Sequence, residues 1–283
     1  ISLGLVGSEM CIRDRRWSKQ PVMARALLSR FEVVMAQSRL DGERYSRLGA
    51  PRIVLGGNLK YDVAPPPADP ASLALLEGAT AGRPIWIAAS THPGEDEPII
   101  EVHRRVAARL PKLLTIIAPR HPQRGQDIAD LARLMGVASG RRSAGDIPDR
   151  AVDLYVADTV GELGLFYRLS PLAFIGGSLV PHGGQNPIEP AKLGAAILHG
   201  PHVHNFTDVY AALDEAGGAA LTPDVGALAG QLLHWLEQGG EARRAGRRAL
   251  QSVSELAGAA DRVMKALDPL LARAELERGR QAA

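Results

Sequence analysis

From about residue 84 onward the chain repeats one pattern, a short unbroken apolar run followed by an amphipathic stretch or a loop. RPIWIAAS precedes PIIEVHRRVAARL, whose apolar residues fall at helical spacing. KLLTIIAP precedes QRGQDIADLARLMG, which ends on glycine, and VDLYVAD, PLAFIGGS and AAILHG add three more buried strands. A strand that is apolar throughout is covered on both faces, and strands that alternate with helices run parallel. The pattern predicts an α/β domain built on a parallel sheet. Such sheets bind ligands at the carboxyl ends of their strands, so the residues just after each strand are the candidates for chemistry.

Upstream, MARALLSR reads as the end of a helix and FEVVMAQS as a buried strand. DGERYSRLG is a short helix closed by Gly49, and RIVLGG is another strand. GNLKYDVAPPPADP then breaks all periodicity with a proline cluster, the signature of an interdomain linker. The stretch from about Val225 to Glu277 reads as almost all helix. The opening ISLGLVGSEMCIRDR has neither period and resembles translated adapter sequence, so residues 1–15, with the one cysteine, Cys11, are set aside as non-native. A single cysteine builds no disulfide and no cysteine metal site. The formal charge of +2 gives no sign of nucleic-acid binding, and no apolar run is long enough to span a bilayer.

Four segments follow strands. FIGGSLVPHGGQNPIEPAKLG is the richest: Gly176 and Gly177 allow close backbone approach, and Gly184 closes a second glycine pair. Asn186 stands at a natural N-cap, Pro187 at the first helical position and Glu189 three residues after the cap. Capping alone accounts for Asn186 and Glu189. The functional reading uses the same geometry, since free N–H groups at a helix start receive a phosphate and a carboxylate can accept from ribose hydroxyls. APRHPQR offers Arg120 and His121, either as an ordinary turn or as ligands of a phosphate or sugar carboxylate. In ASTHPGEDE, Ser90 and Thr91 can cap the next helix, while Thr91 and His92 are candidates to line a ligand. ADTVGELGLFY offers Asp158 or Thr159 as a cap. The scattered histidines lack metal-ligand spacing, and neither a Walker loop nor a dinucleotide fingerprint is present.

Taken in order, AQSRLDGERYSRLGA, GNLKYD, ASTHPGEDE, PRHPQR, DTVGELG and FIGGSLVPHGGQNPIEPAKLGAAILHGPHVHNF resemble the 3-deoxy-D-manno-octulosonic acid (Kdo) transferases of lipopolysaccharide synthesis. The likeness covers residues from about 16 to about 271, and it departs at Gln185, where a histidine is expected. It implies a GT-B glycosyltransferase with a Rossmann-like donor domain at 84–255, a linker at 57–83, a remnant of a second, acceptor-binding domain at 16–56, and a C-terminal helix and tail at 256–283. The implied donor is cytidine-monophosphate-activated Kdo (CMP-Kdo), the acceptor a lipid A precursor, and the place the cytoplasmic face of the inner membrane. Transfer would be inverting and need neither cofactor nor metal. Gly176, Gly177, Ser178 and Asn186 would surround the phosphate, Glu189 would hold the ribose, and Arg120 and His121 would flank the phosphate or carboxylate. The general base would belong to the acceptor domain, so this chain is expected to bind donor and transfer little. A nucleotide-sugar epimerase of similar fold and a non-catalytic nucleotide-binding module are the competing readings.

Overall fold

The computed structural model describes residues 17–281, so the stretch 1–15 and Cys11 lie outside the described residues. The chain forms two compact units, one comprising residues 64–254 and the other the segments on either side of it. In the smaller unit β1 (Val34–Ala36) and β2 (Ile53–Leu55) pair in parallel, with the helix Arg39–Arg47 between them in sequence. Ser38 caps that helix by accepting the Asp41 N–H at 3.1 Å. The chain's last helix, Ala259–Gln281, belongs to the same unit. Asp62 accepts the Gly258 and Ala260 N–H groups at its start, and Arg262 donates back to the Gly56 carbonyl at 3.0 Å.

The larger unit is built on seven strands. They are β3 (Ile85–Thr91), β4 (Leu114–Pro119), β5 (Ser139–Arg141), β6 (Leu154–Val156), β7 (Leu172–Ile175), β8 (Ala196–His199) and β9 (Ala219–Leu221). Every pair is parallel, and the order is β5-β6-β4-β3-β7-β8-β9. The apolar runs read from sequence are the inner strands, and β3, β4, β6, β7 and β8 are buried almost throughout. The outer strands β5 and β9 are absent from the sequence reading, because three residues at a sheet edge carry no periodic signal. The stretch 57–83 is also more than linker. It contains the ten-residue helix Pro70–Ala79, started by Pro70 and by Asp69, which accepts the Ser72 N–H at 2.8 Å.

One polar chain runs through this apolar interior. The Trp86 indole N–H donates to Thr115 Oγ1 at 2.6 Å, and Thr115 in turn lies 2.9 Å from His103 Nδ1. The Thr115 hydroxyl has a second lone pair and one proton, so it accepts from Nδ1–H or donates to a bare Nδ1 according to the His103 tautomer. Burial holds the His103 pKa down to about 4. The unfolded chain protonates this ring near pH 6.5. Native stability therefore falls as pH drops from 6.5 towards 4, where only the unfolded state takes the proton, and is unaffected above that window. His103→Asn keeps an acceptor near the Nδ1 position and does not titrate. Urea midpoints of that variant should fall less steeply with acid, by up to one proton's worth, about 1.4 kcal/mol per pH unit. An unchanged slope would mean that His103 is not the group responsible.

Candidate functional site

The strand order makes a switch point. From β3 the chain proceeds to β4 on one side, whereas β7, on the other side of β3, leads outward to β8. A crevice at the carboxyl ends of such neighbours is where open α/β sheets bind ligands. The loops after β3 and β7 carry ASTHPGEDE and the glycine-rich segment, so two of the predicted segments are brought together.

The end of β3 is distorted to fit. Ala89 pairs with Ala118 but Thr91 with Pro119, so Ser90 is the extra residue of a bulge, and it sits at φ 58°, a left-handed conformation costly for serine. Against it lies Gly176, where a Cβ would stand 2.5 Å from the Ser90 carbonyl oxygen and 2.6 Å from Thr91 Cα. Only glycine lets the two backbones approach so closely.

The expected phosphate cradle is already filled. Glu95, fully buried, accepts the N–H groups of Gly177 at 2.7 Å, Ser178 at 3.1 Å and Leu179 at 3.0 Å, and that of His92 at 2.8 Å. Gly176 N–H continues the ladder to the Ala89 carbonyl at 2.8 Å, and Ser178 Oγ bonds the Ile175 carbonyl and the Gly200 N–H. The backbone donors of Gly176, Gly177 and Ser178 are thus committed within the protein, which corrects their assignment as phosphate ligands. Ser90 and Thr91 do not cap the next helix either. It begins at Asp96 with Glu95 in the cap position, and the Glu95 side chain turns away to the other loop.

Above this floor stands a cluster of imidazoles. The rings of His92 and His182 lie 3.7 Å apart with planes 31° from parallel, and His121 stands edge-on to His92 at 6.1 Å. Gln185 Nε2 lies 2.9 Å from His92 Nε2, so the amide donates to an unprotonated ring nitrogen. Burial, and then the neighbouring imidazoles and Arg124 and Arg120, hold the His92 pKa down to about 4. Arg124 is committed: it pairs with Asp96 and donates to the Thr91 carbonyl at 2.8 Å. Burial nonetheless raises the Asp96 pKa, which Arg124 opposes. The backbone N–H of Arg120 bonds Thr91, while its exposed guanidinium makes no hydrogen bond or ion pair among the described residues. Arg120, His121, Thr91 and His92 are therefore neighbours, brought together because β3 and β4 pair side by side. Glu95, Arg124 and His182 were not read as part of the site, and Gln185 was noted only as a departure from the family pattern, because their roles depend on partners from other loops.

At the far end of the glycine-rich segment, Asn186 Oδ1 accepts the Ile188 N–H at 3.1 Å and Asn186 Nδ2 donates to Glu189 Oε1 at 3.1 Å. The helix spans Ile188–Lys192 with Pro187 in the cap position. The expected capping box is thereby corrected: the helix starts one residue later, and Glu189 meets the Asn186 side chain instead of its N–H. Glu189 remains half-buried, with its other oxygen lacking a partner among the described residues. Gly184 packs where a Cβ would touch the Tyr210 ring, whose hydroxyl donates to the Gln185 carbonyl at 2.9 Å. Asp158 and Thr159 do not cap the helix Leu163–Leu169. Asp158 accepts from the Ser143 N–H and hydroxyl at 2.8 and 2.7 Å, and Thr159 donates to Glu162, which Arg142 grips with two bonds. Among the described residues no group of three or more His, Cys, Asp or Glu is placed to hold a metal ion.

Residues 9–63 match the family model of the 3-deoxy-D-manno-octulosonic-acid transferase (kdotransferase). The 3-deoxy-D-manno-octulosonic acid transferase of Haemophilus influenzae is 35% identical over 91% of this chain and 61% of its own length. The chain spans about three-fifths of the length of this relative and of that from Bordetella pertussis. The C-terminal CMP-Kdo binding domain of WaaA from Acinetobacter baumannii superposes with a TM-score of 0.62 at 28% identity, over 65% of this chain and 96% of that domain. Anabaena HepE in complex with UDP and glucose shares the fold alone, with a TM-score of 0.52 at 15% identity over 89% of this chain and 66% of that one. The fold is that of a GT-B glycosyltransferase, with one Rossmann-like unit on a seven-stranded parallel sheet and a two-stranded parallel sheet in the other unit. Over the length it shares with these relatives, the chain is similar to the 3-deoxy-D-manno-octulosonic acid transferases.

Proposed function

We propose that the larger unit binds CMP-Kdo at the β3/β7 switch point, as the donor half of an enzyme that transfers Kdo to a lipid A precursor. The observation that carries this reading is the uncommitted Arg120 guanidinium beside the His92–His121–His182 cluster, at the carboxyl edge of the sheet. An arginine fork suits an oxyanion, and the donor offers both a phosphate and a sugar carboxylate. Glu189, with one carboxylate oxygen held by Asn186, can take ribose hydroxyls on the other.

In this scheme the acceptor hydroxyl attacks the anomeric carbon from the face opposite the nucleotide, which inverts the centre. The bond to the CMP phosphate oxygen breaks and its electron pair leaves with CMP. Only one phosphate leaves, so the charge that develops is within the reach of Arg120 and the neighbouring imidazoles, without a divalent ion. A base must take the hydroxyl's proton. Of the carboxylates at the sheet's carboxyl edge, Glu95 is engaged by backbone amides, Asp96 by Arg124, and Glu189 by Asn186 and, in this scheme, the ribose, so this chain should bind donor and transfer little by itself. Robust turnover by the chain alone would overturn that part. A lipid acceptor requires work at a membrane surface, on the cytoplasmic side where the nucleotide donor is made. No described helix is long and apolar enough to cross a membrane, and contact is proposed to be peripheral.

Calorimetric titration with CMP, with UMP as control, tests the donor reading. Selective CMP binding is expected. Preference for UMP would favour a nucleotide-sugar epimerase, and a folded chain that binds neither would overturn the assignment of the pocket. Glu189→Ala should weaken CMP binding by about tenfold or more, since a hydrogen bond to a charged group contributes about 1.5–3 kcal/mol. Unchanged affinity with an intact fold would remove Glu189 from the ribose site.

A further inference from the structure

Glu95 is fully buried, and no step of the proposed transfer uses it. Its Oε2 accepts the N–H groups of His92 and Gly177, and its Oε1 those of Ser178 and Leu179. These donors come from the two loops that flank the switch point. Successive backbone N–H groups converging on one point make an anion nest. Here the anion is covalently part of the protein, so the nest is closed to any external phosphate. The carboxylate also fixes the backbone of His92, two residues after the left-handed Ser90, against Gly177. The His92 ring in turn stacks on His182 and accepts from Gln185, both carried by the β7 loop.

We propose that Glu95 is a positioning residue for donor binding, a built-in anion that ties the β3 loop to the β7 loop. It holds the His92–His182–Gln185 wall in register and leaves side chains, Arg120 foremost, to meet the donor's phosphate. The proposal rests on the donor reading given above.

The test has two independent readouts, amide hydrogen exchange at Gly177, Ser178 and Leu179, and CMP affinity by calorimetry. Glu95→Gly removes the carboxylate and leaves space for a small one. Exchange at the three amides should accelerate, the CMP dissociation constant should rise about tenfold or more, and acetate added at high concentration should reverse both. A residue needed for stability alone would lower Tm yet leave CMP affinity unchanged at temperatures where the variant is folded, and that result overturns the proposal. Should Glu95→Gly not fold, Glu95→Gln supplies both readouts, because its amide nitrogen opposes N–H donors and cannot accept them. If the wild-type chain binds no CMP, the donor reading fails separately. The tie between the loops is then decided by exchange alone, and unaltered exchange in Glu95→Gln rejects it.

Discussion

Arg120→Ala should weaken CMP binding by about ten- to a hundredfold and leave Tm where it is. The guanidinium is exposed and makes no hydrogen bond or ion pair among the described residues, so its removal costs the fold nothing there. Its backbone bond to Thr91 survives the substitution. A charge-assisted bond to an oxyanion contributes about 1.5–3 kcal/mol, and each 1.4 kcal/mol is about a tenfold change in affinity. Arg120→Lys should recover part of the loss, because lysine restores the charge without the two-pronged geometry. Calorimetry on the two variants and the wild type checks the order. Equal affinities would show that the anion is met elsewhere. Arg124 is a poor substitute, held as it is by Asp96 and the Thr91 carbonyl.

Trp86→Ala should destabilise the larger unit by about 3–5 kcal/mol, the usual range when a buried tryptophan becomes a cavity. Trp86 is fully buried in the middle of the sheet, packed in one cluster with Ile99, Val102, Phe174 and Leu198. For a domain of this size that corresponds to a fall in Tm of roughly 6–20 °C. The indole N–H bond to Thr115 is lost as well, so Trp86→Phe should keep most of the packing but still cost about 1 kcal/mol. Scanning calorimetry reads both values. A drop of only a degree or two for the alanine variant would mean that the core closes over the cavity. β3 carries Ser90, Thr91 and His92 at its end, so partial loosening here should also weaken nucleotide binding.

Much of the architecture was legible because burial is written locally in residue type. RPIWIAAS and KLLTIIAP could only be strands covered on both faces, and they are β3 and β4, side by side and parallel. Thr91, His92, Arg120 and His121 were read only as strand-end candidates, and it is the pairing of β3 with β4 that brings them together. The glycine-rich segment was misread in one respect. Its amides looked free because nothing near them in sequence competes for them, while the carboxylate that takes them lies more than eighty residues upstream. The same limit explains Asp158, whose partner Ser143 lies fifteen residues upstream.

By itself, then, the sequence determined an α/β chain, its inner strands and the family it resembles, because periodicity and motif order survive without any knowledge of neighbours. The tertiary structure decided the strand order that sets β7 beside β3, the edge strands β5 and β9, and which loop donors remain open to a ligand. The physical reason is that hydrophobic patterning specifies which residues avoid water, whereas a hydrogen bond is claimed by whichever acceptor the folded chain brings within about 3 Å.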